Sequence, residues 1–307
     1  MTASSGDAQG AKKKPAISAA ILLLVVALGA GIAAAGSHQG TEVMGLPVFA
    51  LVVAWIFLVQ IIAFIPAWLN QTETFFDLTG SLTYITAAIG GVALSGHTDA
   101  VSLLLAGAVT LWALRLGSFL FMRVRRSGSD DRFDDIKPDF PRFLTVWIIQ
   151  ALWVAITLSA ALAAITAAER PTLGVLTVVG MLLWLAGFVF EIVADLQKSR
   201  FRAEPTNKDE FIRTGLWAWS RHPNYFGEIV LWMGIAIAAI PALSGWQYAT
   251  LISPIFVIVL LTQISGIPLL ESKADGYWGD QAAYQAYKAR TSVLVPLPPR
   301  AAGSEQL

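Results

Sequence analysis

The chain has 307 residues, of which 56% are hydrophobic and only 14% charged. A soluble domain carries roughly 25% charged residues, so this composition excludes an ordinary soluble fold and points to the membrane. The formal net charge is zero, which offers nucleic acid no basic footprint, and the absence of cysteine excludes disulfides, thiolate nucleophiles and sulfur-ligated metal.

A spanning helix needs about 20 mostly apolar residues. Eight stretches qualify: 16–36, 46–69, 75–96, 99–123, 143–167, 173–197, 224–243 and 247–270. The expectation is an all-α polytopic membrane protein of about eight transmembrane helices. Residues 1–15 read as a disordered cytoplasmic N-terminus, 16–69 as N-terminal transmembrane helices and 298–307 as a disordered tail. Lys12–Lys14 before the first stretch and Ala33-Ala34-Ala35-Gly36 at its end also fit a signal peptide, but the apolar core is long for one. The Gly29-Ala30-Gly31-Ile32-Ala33-Ala34 pattern lacks the strand–helix setting of a dinucleotide fold and reads as small residues packing a membrane helix.

The Lys and Arg positions test the count. Lys12–Lys14 precede the first stretch, and Arg123, Arg125, Arg126, Arg132, Lys137 and Arg142 follow the fourth. Lys198, Arg200, Arg202, Lys208, Arg213 and Arg221 separate the sixth and seventh, and Lys273, Lys288, Arg290 and Arg300 follow the eighth. Eight crossings put all four groups on one side, so both termini are expected to be cytoplasmic.

Asp77, Arg115, Glu191, Asp195, Glu228 and Glu271 lie within or at the edge of apolar stretches. Charges there are costly, so each is a functional candidate or half of a structural ion pair, for example Arg115 with Asp77. Glu191 and Asp195 are four apart and share a helix face; Asp195 and Arg202 are seven apart and share one if the helix continues. Acid below and base above suits a ligand with hydroxyls at one end and phosphates at the other. A positive flank with a neutralising acid is the plainer alternative.

The segment Ser220-Arg221-His222-Pro223-Asn224-Tyr225-Phe226-Gly227-Glu228 is the densest in polar chemistry. Pro223 suits the first turn of a helix, whose free N–H groups attract anions, with Arg221 and His222 as further donors. The alternating charges of Arg123 to Phe133 read as a solvated loop on the same side. In the tail, Tyr284, Tyr287 and Lys288 suggest a short amphipathic helix on the bilayer surface, followed by an extended segment from Thr291 to Pro296.

Lys198-Ser199-Arg200-Phe201-Arg202, Asn207 and Gly215 to Glu228 resemble the C-terminal half of the DUF1295 family, kin of the steroid 5-alpha-reductases. Trp112-Ala113-Leu114-Arg115-Leu116, Asp131-Arg132-Phe133 and Tyr284 to Pro296 share the resemblance, which covers 70–297 as one steroid-reductase-like membrane domain. The isoprenylcysteine carboxyl methyltransferases carry a similar segment. The resemblance implies a membrane reductase that binds NADPH from the cytoplasmic side and reduces a carbon–carbon double bond in a lipid-like substrate. It implies cofactor positions at Asp195, Arg202, Asn207, Arg221, His222, Asn224, Tyr225 and Glu228, with Arg115 and Glu271 beside them. Steroid reductases hold the enone carbonyl with a glutamate and a tyrosine; Glu73, Asp77 and Tyr84 are the nearest chemical equivalents here. No metal is required.

The alternatives are an S-adenosylmethionine-dependent membrane methyltransferase and a transporter without catalysis. The basic groups at 198–202, 213 and 221 favour a phosphorylated cofactor, and the lack of an internal repeat disfavours a transporter. The expected partners are the bilayer and an apolar small molecule, and the expected location is a bacterial inner membrane.

Overall fold

The computed structural model describes residues 5–127, 133–170 and 172–299, with backbone alone for 5–16 and 123–127. The side chains of residues 123–132 and most of the 298–307 tail therefore lie outside the described residues. Among the described residues, eight segments are long and apolar enough to cross a membrane, as the sequence predicts. Among the described residues the fold is all-α apart from one hairpin of two-residue strands, β1 (Glu42–Val43) with β2 (Leu46–Pro47). Met44 and Gly45 turn it with φ of 53° and 77°, the conformation that suits a tight hairpin.

The helices are α1 (Ser5–Gly36), α2 (Val48–Leu69), α3 (Phe76–Ser95), α4 (Ala100–Ser127), α5 (Phe140–Thr166), α6 (Val175–Ala203) and α7 (Pro223–Ala239). After them come α8 (Ile252–Val259), α9 (Ile267–Trp278) and α10 (Ala282–Arg290). The eighth apolar stretch is not the continuous helix expected over 247–270. A 3₁₀ segment (Gly245–Leu251), α8, a π turn (Leu260–Ile264) and α9 share it. Pro268 sits in the first turn of α9, where its missing N–H is tolerated, but it cannot continue a helix arriving from α8. Gly266 supplies the break: a Cβ there would meet the Leu261 carbonyl oxygen at 2.4 Å.

The chain forms two compact units. The first, Met1–Thr177 with Ala238–Ser253, is built around α5. Every residue of α5 from Leu158 to Thr166 is buried, and the run Ser159-Ala160-Ala161-Leu162-Ala163-Ala164 is apolar and small all round. Such a helix belongs inside a bundle rather than against lipid, and α1, α2, α3 and α4 all contact it. Ser159 and Ser253 donate across the unit to the Thr250 and Thr157 carbonyls at 2.9 and 2.5 Å. At the α5 C-terminus, Arg170 donates to the Ala164 and Ala167 carbonyls at 3.1 Å and pairs with Asp99. Asp99 in turn caps α4, accepting from the Val101 and Ser102 backbone N–H groups. One ion pair thus closes two helix ends.

The second unit, Val178–Ile237 with Pro254–Leu307, depends on a glycine-lined contact between α6 and α7. A Cβ on Gly187 would lie 2.6 Å from the Gly227 carbonyl oxygen, and one on Gly234 would lie 2.5 Å from the Gly180 carbonyl oxygen. The backbones touch, as small residues permit in membranes. Gly187→Ala should therefore lower the melting temperature of the purified protein, by about 1–3 kcal/mol of stability or more. Gly90→Ala, with nothing within 4 Å of its new methyl, should leave it unchanged or raised; equal effects of the two would contradict the close contact.

Candidate functional site

The second unit gathers its charged groups at the start of α7. Glu271, on α9, is the hub. His222 Nε2 donates to Glu271 Oε1 at 2.9 Å, and Arg221 Nε stands 3.4 Å from the same oxygen. Lys288 Nζ lies 3.3 Å from the other carboxylate oxygen and 2.6 Å from Asp275 Oδ1. A carboxylate offers only acceptors, so Nε2 carries the hydrogen and Nδ1 is left as the acceptor of a neutral ring. Burial pushes the His222 pKa below its ordinary value, against the opposing pull of Glu271. The ring stacks on Tyr225, one turn further on, at 5.8 Å.

The tail locks this segment in place. Arg221 N–H donates to the Ser292 carbonyl at 2.9 Å, Leu297 N–H to the Trp219 carbonyl at 3.1 Å, and Ser220 Oγ to the Leu294 carbonyl at 2.7 Å. The expected extended segment after Thr291 is thus a strap laid along 219–221. The amphipathic helix α10 is present, but its aromatic face does not lie on the bilayer. Tyr284 and Tyr287 are buried against Phe211, and Tyr287 donates its hydroxyl to the Trp217 carbonyl at 2.7 Å. Two rings that bury well on protein leave little apolar face for lipid. Burial raises both phenols, Tyr284 to about 12.

The helix α6 continues to Ala203, so Glu191, Asp195, Lys198 and Arg202 form one stripe at spacings of four, three and four. Glu191 is buried at 3% exposure and Arg202 is exposed. Lys198 lies over the Trp217 ring at 4.8 Å, and Trp217 donates to the Ala194 carbonyl at 3.0 Å. Gly215, at a φ of 60°, turns the chain so that Leu216 N–H reaches Gln197 Oε1 at 2.9 Å. At the other flank, Gly227 packs against the Glu191 backbone, with Asn224, Tyr225 and Glu228 half-buried around it.

Of the residues anticipated for a cofactor, the structure joins Arg221, His222, Tyr225 and Glu271 in direct contact. It sets Asp195 and Arg202 on one helix stripe, and Asn224 and Glu228 one turn apart on the next helix. Asn207 does something else: its amide donates to the Phe201 carbonyl at 3.0 Å and holds the end of α6. Arg115, half-buried on α4, belongs to the first unit, as do the three anticipated substrate residues. Glu73 is buried and paired with Lys137 at 2.7 Å. Asp77 and Tyr84 lie seven apart on the continuous helix α3, and the Tyr84 ring meets Trp112 edge-on at 5.1 Å. Sequence reasoning missed Asp275, which lies four residues beyond Glu271 on one helix face and shares Lys288 with it.

The model of the DUF1295 family, described as a protein of unknown function, matches residues 63–291. The chain belongs to the DUF1295 family. No curated protein and no solved structure matches it. The matched range includes His222, Glu271 and Lys288 of this DUF1295 member, and ends at Thr291, where the strap begins.

A histidine held neutral by burial binds a proton less readily folded than unfolded. Stability should therefore fall as pH drops below about 6.5 and be flat above it. Thermal melts of the detergent-solubilised protein from pH 5 to 8 should show that slope, and His222→Gln should flatten it. A slope of opposite sign would mean the ring is held protonated. Separately, Glu271→Gln leaves Arg221 and Lys288 without their shared partner and should cost about 3 kcal/mol; a melt within about 0.5 kcal/mol of wild type would remove Glu271 as the hub.

Proposed function

We propose that this DUF1295 protein is a membrane-embedded, NADPH-dependent reductase of a carbon–carbon double bond in a lipid-like substrate. The observation that carries the reading is the α6 stripe, which grades from buried carboxylate to exposed guanidinium beside the N-terminus of α7. A dinucleotide phosphate needs acceptors for ribose hydroxyls at one end and cations for phosphates at the other, and this order of residues fits it. Arg202 and Lys198 attract phosphate. Asp195 and Glu228 accept from ribose hydroxyls. His222 and Tyr225, stacked and braced by Glu271, offer a flat polar wall at the helix start. When bound, the cofactor supplies hydride.

The protein contributes orientation, exclusion of water and a proton donor. Tyr84, inside the first unit, is assigned to polarise the substrate carbonyl, with Asp77 on the same helix face steadying it. The substrate enters from the bilayer, and the site opens to the cytoplasm of a bacterial inner membrane. A methyltransferase would need a pocket for a sulfonium and one carboxylate, which gives the 198–202 cations no task.

Calorimetry on purified protein should show NADPH binding and none for S-adenosylmethionine. Arg202→Ala and Glu228→Gln should each weaken NADPH at least about tenfold, or roughly 1.4 kcal/mol, with unchanged melting temperature. Normal NADPH affinity in both variants, or binding of S-adenosylmethionine instead, would overturn the assignment. Tyr84→Phe should leave that affinity intact and slow turnover about a hundredfold; full turnover would release Tyr84 from the mechanism.

A further inference from the structure

The helix α9 carries a face that the charged cluster does not use. Its inner side is Ile267, Glu271, Ala274 and Trp278: Ile267 is buried, Glu271 reaches His222, and Ala274 and Trp278 pack on Phe211, Tyr284 and Tyr287. Ser272 and Asp275 occupy a polar side, where Asp275 holds Lys288. Leu269, Leu270, Lys273 and Tyr277 share the remaining side, within an arc of about 100° at 3.6 residues per turn. All four are exposed, Leu269 at 53% and Tyr277 at 69%. Lys273 makes no ion pair among the described residues.

The depth of α9 says what covers this face. The eighth apolar stretch runs 34 residues, Gly245–Trp278, about 51 Å as an α-helix, against a hydrocarbon core of ~30 Å. Its first ~20 residues suffice to cross, and the break at Ser265 and Gly266 comes there. The surplus, α9, therefore starts where the span leaves the hydrocarbon. The seventh stretch gives the same level independently. It fills one crossing in 20 residues from Pro223, and His222, just before it, touches Glu271 at 2.9 Å. Ile255, Val259 and Ile264, exposed on the span itself, lead along the chain to the exposed side of α9. Two leucines, a phenol with a polar tip and a lysine with a long apolar stem suit the boundary between acyl chains and headgroups.

We propose that this side of α9 seats on the phospholipid surface. Leu269, Leu270 and the Tyr277 ring enter the acyl boundary, and the Lys273 ammonium lies on a headgroup phosphate. The bilayer then grips the helix that carries Glu271, so lipid contact holds one wall of the charged cluster. The helix on the bilayer surface is α9 and not α10, whose aromatic face is spent on protein. The inference does not depend on the reductase reading.

The chain has no cysteine, so a single substitution carries a nitroxide without background. Leu270→Cys, Tyr277→Cys and Ser272→Cys, each full length, spin-labelled and in phosphatidylglycerol nanodiscs, are read by collision with oxygen, which dissolves in the bilayer, and with a nickel chelate, which stays in water. The ratio of oxygen to nickel collisions should be at least about threefold higher at 270 and 277 than at 272. Adding Lys273→Glu to Tyr277→Cys should raise nickel collisions about twofold; no change would overturn the phosphate contact. Labels at 270 and 277 as open to nickel as the one at 272 would overturn the proposal. So would labels shut off from both reagents, since a protein partner or a second copy would then cover the face. Should Leu270→Cys fail to fold, the more exposed Tyr277→Cys decides.

Discussion

The second unit is organised by the need to keep charge neutral where helices leave the hydrocarbon. Five ionisable groups meet around Glu271: Arg221, His222, Lys288, Asp275 and the carboxylate itself. An unpaired charge in such a place is expensive. Here two carboxylates face two permanent cations, and burial leaves the imidazole neutral. The cluster balances itself, so its bonds can be short and its geometry fixed before any ligand arrives. That balance also divides labour. The cations committed to Glu271 and Asp275 hold the framework, whereas Arg200 and Arg202 stand exposed at the end of α6.

Several features of the chain follow from holding that cluster. Lys288 must return from α10 to α9, so Tyr284 and Tyr287 are buried on Phe211 to seat the helix. The backbone before α7 must not fray, so the strap after Thr291 pairs with 219–221. The α7 N-terminus must lie close to α6, so glycine stands at Gly187 and Gly227, where a Cβ would meet the facing backbone. The tail is therefore bound into the segment that precedes α7.

Much of the fold was legible because the bilayer is an unforgiving solvent: a spanning segment must be long and apolar, and basic residues mark one side. Six of the eight apolar segments stand within three residues of where hydropathy places them, whereas the sixth runs on to Ala203 and the eighth, interrupted, to Trp278. The seven-residue spacing of Asp195 and Arg202 told their shared face correctly, because nothing between them breaks α6. Other features were not legible. The interruption at Ser265–Gly266 carries a Gly and a Pro that apolar averaging hides. The periodicity of Tyr284, Tyr287 and Lys288 announced an amphipathic helix, but periodicity does not say whether the apolar face meets lipid or protein. Glu271 was visible as a charge at a helix end. Its role as hub was not, because its partners come from positions 49 residues before and 17 after it.

The central claim is that the cytoplasmic ends of α6 and α7, braced by α9 and α10, form a nucleotide site. Mass spectrometry of the small molecules released from gently solubilised, unsupplemented protein tests it most directly. The account predicts NADP(H) in stoichiometric proportion. S-adenosylmethionine, or no nucleotide at all from a protein whose melt shows it folded, would contradict it.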